Sequence, residues 1–165
     1  MIPIGCRRRF GGDGFETSSI SGGMRISNKM VAYALLRVAV GVNFLGHGVF
    51  RILSGTGKFA AMMADSMAKS PLPHGLTVGF LSAVPVTETV LGVALILGLV
   101  TRVTLVGGAM FMWALTFGVT SNQQWDVAGQ QLLYSLVFFV LLFTVEFNGL
   151  AVDGLLGRTK TARLF

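Results

Sequence analysis

The segment VAYALLRVAVGVNFLGHGVFRIL, Val31 to Leu53, decides the fold. At ~1.5 Å rise per residue, about 20 apolar residues cross a hydrocarbon core of ~30 Å, and this stretch is long enough to do so. Yet it carries Arg37, Asn43 and His47. Polar side chains inside a membrane span face a bundle interior or a wet cavity, so each of the three demands a partner.

Helical geometry assigns the faces. Ala34, Gly41 and Gly48 recur every seven residues, with Arg37, Phe44 and Arg51 three residues after each. This is a heptad seam whose small residues let a neighbouring helix approach closely. Arg37 therefore points inward. At ~100° per residue His47 lies about 80° round from Arg37, with Asn43 one turn below it on the same flank.

Working outward, 53% of the 165 residues are hydrophobic and only 12% are charged, about half the charged share of a soluble domain. The chain reads as one small integral membrane domain. Its net charge of +6 comes from basic residues that flank apolar spans, so they act as topology signals and no nucleic-acid partner is expected. Cys6 is the single cysteine, which excludes an internal disulfide relay.

Residues 1–28, with Arg7 to Arg9 in a run and scattered glycines and serines, are expected to form a flexible cytoplasmic tail. Met1 and Met24 are alternative starts. After the first span, Phe59, Met62, Met63 and Met67 near helical spacing, with Pro71 and Pro73 as stops, predict a short amphipathic helix at the membrane surface. The second span, Leu76 to Val100, holds Pro85 and Glu88 near its midpoint, and Gly92, Ala94 and Gly98 as packing residues. Thr101 and Arg102 form a very tight turn, which predicts that the third span, Val103 to Thr120, packs antiparallel on the second. A fourth span, about Ala128 to Phe147, follows the loop that holds Trp125, and residues 157–165 form a basic cytoplasmic tail. The expected fold is all-α: an antiparallel four-helix membrane bundle over residues 29–156.

Lys and Arg number nine on the side of the termini (Arg7, Arg8, Arg9, Arg25, Lys29, Arg102, Arg158, Lys160, Arg163) and three on the other (Arg51, Lys58, Lys69), which predicts cytoplasmic termini. This orientation puts Arg37 roughly 9 Å inside the cytoplasmic edge and Glu88 near the midplane, leaning outward toward the level of His47 and Asn43. Arg37 and Glu88 fit either a buried pair that fixes packing or a site for a quinone headgroup or a proton relay. His47 is a candidate quinone-carbonyl donor or proton carrier, or a satisfied residue of the bundle. Asp126, Gln130, Gln131 and Tyr134 are candidates for the outer mouth, and Asp153 for the cap of the polar turn near the end of the chain. Met62, Met63, Met67, Met110 and Met112 read as packing and lipid contact, and no residue set reads as a metal site. Nucleotide-binding and hydrolase motifs are absent.

LLRVAVGVNFLGHGVFRI, PVTETVLGVALILGLVTR and FNGLAVDGLL together resemble the DoxX family, covering Leu36 to Leu156. Where that family's first motif continues to a Lys, this chain offers Arg51 and then Lys58. The resemblance implies a bacterial or archaeal inner-membrane protein that acts as an accessory, structural subunit of a larger membrane redox complex, in contact with lipid and partner subunits. The alternative is a quinone-binding oxidoreductase subunit of the DoxD-like, thiosulfate:quinone type, using Arg37, His47 and Glu88. No intrinsic cofactor is implied; a quinone or a lipid are the candidate bound molecules. A small-solute carrier is disfavoured because the four spans show no inverted repeat.

Overall fold

A computed structural model of the chain describes residues 26–67 and 70–155, with side chains as far as Asp153. The expected basic tail and all but the last three residues of the expected N-terminal tail, with Cys6 and both alternative starts, lie outside the described residues. The chain forms α1 (Asn28–Leu53), α2 (Thr56–Ser66), α3 (His74–Leu97), α4 (Thr101–Ser121), α5 (Trp125–Phe143) and the short α6 (Val152–Leu155), with a 3-10 turn at Val145–Phe147. Helices α1, α3, α4 and α5 are each long and apolar enough to cross a membrane, so this is an all-α, multi-pass four-helix membrane bundle.

The bundle is built from two antiparallel pairs, α1 with α3 and α4 with α5. The first pair is fixed by the glycines of the seam. A Cβ on Gly92 would stand 2.5 Å from the backbone nitrogen of Leu45 and 2.8 Å from the Gly41 carbonyl. One on Gly48 would stand 2.7 Å from the Pro85 carbonyl. The two backbones therefore touch along this line, the arrangement that small residues permit where burial of apolar surface no longer discriminates. Ala34 and Ala94, expected on the same seam, are half-buried. Pro85 removes one backbone donor from α3 without ending it, and the Thr89 hydroxyl donates to the Pro85 carbonyl at 2.8 Å.

The two pairs meet face to face over Tyr33, Val40, Phe44, Leu95, Leu105, Met112, Phe138 and Leu141. Phe44 is central, with its ring edge-on to Phe138 and Tyr134, centroids 5.7 and 6.0 Å away. Apolar side chains such as Trp113, Phe117 and Phe139 remain exposed on the outside, where lipid tails solvate them.

The contacts add detail to two expectations. The tight turn does join α3 to α4, yet these helices pack on each other only sparsely: the glycine seam gives α3 to α1, and α4 packs on α5. Helix α2 also packs on the bundle. Its Ala60 and Ala64 are buried in a second cluster with Met67 and with Leu81 and Val84 of α3, and Asn122 donates to the Ser66 carbonyl at 2.9 Å, tying its end to that of α4. Alanine at both contact positions lets α2 dock closely.

Candidate functional site

Buried polar residues gather at opposite ends of the bundle. At the end that holds the α3–α4 turn the cluster is closed. Gly98 ends α3 in the left-handed conformation (φ 67°), and its missing side chain makes room for the Arg37 guanidinium, which lies directly against it. Arg37 is 2% exposed and donates to the Leu150 carbonyl at 2.9 Å. Two residues on, Val100 is also left-handed (φ 43°), unusual for a β-branched residue. Asp153 holds it there. Its carboxylate accepts from the backbone N–H of Val100 at 2.9 Å and from the N–H and hydroxyl of Thr101 at 2.6 and 2.9 Å, capping the start of α4. Asn148 donates to the same hydroxyl at 2.8 Å, and the Asp153 N–H donates to the Gly98 carbonyl at 3.2 Å. Asp153 lies near enough for its charge to act on Arg37. This cluster joins the start of α4 to the segment that follows α5.

At the α2 end the cluster is open. A cavity of about 530 Å³ runs between all four spans and α2, within the size range of small-molecule sites. Its wall is mostly aliphatic and aromatic, with Phe80, Leu81, Val84, Met112 and Leu115 among the contributors. The polar groups are few: Asn43, His47 and Arg51 from α1, Thr77 and Glu88 from α3, Gln124 just before α5, and Gln130, Gln131 and Tyr134 from α5. Glu88 forms an ion pair with Arg51, and Arg51 also lies over the Phe59 ring of α2, 4.7 Å from its centroid. The other carboxylate oxygen of Glu88 and the side-chain oxygen of Gln131 are buried without a hydrogen-bond partner.

Of the residues singled out from sequence, Asn43, His47, Glu88, Gln130, Gln131 and Tyr134 thus share one cavity. Asp126 is exposed and does not line it. Arg37 belongs to the other end, so of the two arrangements weighed for Glu88 the structure has the one at the level of His47 and Asn43, with Arg51 as its ion-pair partner. The residue missed as a site residue was Arg51, counted from sequence as a topology signal. Its signal was present, since it occupies the same heptad position as Arg37 and Phe44 and so faces inward. The second histidine, His74, is exposed, lies 3.8 Å from Asp65 and does not line the cavity.

Fold and site together define a small multi-pass membrane protein with an apolar, polar-spotted cavity between its spans. The chain belongs to the DoxX family, whose family model matches it over residues 32–121, α1 through the end of α4. No curated protein and no solved structure matches it.

Proposed function

We propose that this DoxX-family protein is a subunit of a membrane redox assembly and that its cavity binds an isoprenoid quinone. The observation that carries the reading is the cavity itself, which lies at the level of His47 and Glu88. A quinone needs an apolar slot for ring and tail and a few polar groups at the head, and the cavity combines both. His47, Asn43, Gln130 and Tyr134 can donate hydrogen bonds to a ring oxygen. His47 and Glu88 are the titratable groups placed to exchange protons with a head bound there. Arg37 has no part in this chemistry; its place in the closed cluster supports an architectural role.

A purely accessory role is favoured by a different observation, the closed Arg37 and Asp153 cluster, whose groups are given over to holding the helices together. The two readings are compatible, because an accessory subunit can also carry a quinone pocket to its partners. The lysine and arginine distribution supports cytoplasmic termini, with the cavity toward the outer side of a bacterial or archaeal inner membrane.

Gentle detergent extraction from the native membrane, with mass spectrometry of co-purifying proteins and quinones, tests the proposal. Quinone should accompany the natural protein and be lost from His47→Ala and Glu88→Gln variants that keep their partners. An intact complex with no quinone attributable to this chain would leave only the accessory role.

A further inference from the structure

A second groove, of about 350 Å³, shares Arg51 and Phe59 with the cavity, and Phe50, Ser54, Lys58 and Met62 complete its wall. It lies where α1 ends and α2 begins. The 26 residues of α1 extend about 39 Å, more than the ~30 Å hydrocarbon core, so its last turn reaches the level of the lipid headgroups. Among the described residues no carboxylate lines the groove. Arg51 gives one nitrogen to Glu88, but a guanidinium has five N–H donors and this side chain is 30% exposed, so donors remain. Lys58 is exposed and takes part in no ion pair among the described residues. Its stem folds back over the α1–α2 turn, where a Cβ on Gly55 would meet Lys58 Cδ at 3.8 Å. The charges of Arg51 and Glu88 offset each other, and Lys58 leaves the groove with one positive charge.

We propose that this groove binds an anionic membrane phospholipid, its phosphate held by the Lys58 ammonium and the remaining donors of Arg51, its acyl chains laid along Phe50 and Met62. A phosphodiester carries one negative charge, which the single uncompensated cation matches. A zwitterionic lipid brings an ammonium of its own, which Lys58 repels, so charge selects the anionic headgroup. The exposed Ser54 hydroxyl is a further donor to a phosphate oxygen. The apolar rim selects a lipid over a free anion: Phe50 and Met62 are 75% and 64% exposed, and a soluble phosphate would leave both uncovered. Arg51 then serves two acids, Glu88 in the cavity and the phosphate in the groove, a task that suits its planar, many-donor head. Because Arg51 and Phe59 line both spaces, the bound lipid braces a wall of the cavity.

The test is photolabelling of the full chain in phosphatidylcholine nanodiscs doped with phosphatidylglycerol or phosphatidylcholine that carries a diazirine on an acyl chain. Label on the segment from Phe50 to Met62 is scaled to label on the exposed Phe139, which reports bulk lipid. Phosphatidylglycerol should label the groove roughly fivefold more than phosphatidylcholine, the scale of one cation near a lipid surface. Lys58→Gln should remove that excess and Lys58→Arg should keep it. Arg102→Gln, which deletes an exposed cation at the other end of the bundle, should also keep it. Glycerophosphoglycerol, the same headgroup without chains, should not displace the label when added in excess. Equal labelling by the two lipids, or an equal loss in Lys58→Gln and Arg102→Gln, overturns the site. Displacement by glycerophosphoglycerol overturns the lipid and leaves a site for free phosphate.

Discussion

Arg51 and Glu88 form an ion pair across the α1–α3 seam, while Arg37, two heptads earlier on the same stripe of α1, is bonded to backbone at the opposite end. One stripe thus supplies both ends of the bundle, and the two arginines do different work. At the α2 end the pair sits in the cavity wall with a 7% exposed carboxylate and a 30% exposed guanidinium side chain. Arg51→Ala should destabilise the protein by about 2 kcal/mol, because it leaves a buried charge uncompensated while the partial exposure of the pair softens the loss. The double variant Arg51→Met with Glu88→Gln should cost less than the sum of the two single changes, as neighbours that share one interaction do. Reversible unfolding in detergent micelles reads both.

The glycines of the seam can be separated from those that merely lie in helices. Gly92→Ala forces its Cβ to 2.5 Å from the Leu45 nitrogen, and Gly41→Ala drives into Ile96. Each should cost about 1–3 kcal/mol through overpacking. A Cβ on Gly107 or Gly129 would meet nothing within 4 Å, so alanine there should be neutral or stabilise by about 0.5–1 kcal/mol through helix propensity. Equal losses at all four positions, measured by the same unfolding assay, would mean that α1 and α3 do not meet along this line.

The α3–α4 turn predicts a pair of opposite effects. Asp153→Ala removes the cap of α4 and the acceptor for three donors, at a cost of about 2 kcal/mol. Val100→Gly, at an exposed residue whose φ of 43° disfavours a β-branched side chain, should stabilise the protein by about 1 kcal/mol. Both values come from unfolding midpoints and slopes of the purified variants.

Much of the bundle was legible because the membrane limits the choices. Spans had to be helical, and the small residues at Gly41 and Gly48 named the close-packed face of α1 before any neighbour was known. The partner on that face was not legible. The short turn at Thr101 pointed to the third span, but chain proximity does not decide which helix presents its own small residue, and Gly92 gave α3 to α1. The docking of α2 was hidden for a related reason: Ala60 and Ala64 carry little hydropathy, so the methionines beside them dominated the reading. For the site, helix angles placed Asn43 and His47 on one flank correctly. Arg51 was counted by its place near the end of a span, a topology signal, although the heptad already pointed it inward beside Glu88.

Photoaffinity labelling with an azido-substituted quinone, followed by peptide mapping of the full chain in nanodiscs, tests the cavity most directly. The account predicts that label concentrates on peptides of α1, α3 and α5 that carry cavity residues such as Phe44, Phe80 and Tyr134, and that excess unlabelled quinone displaces it. Label spread over outward residues such as Trp113 and Phe139, unaffected by competitor, would contradict a quinone site between the helices.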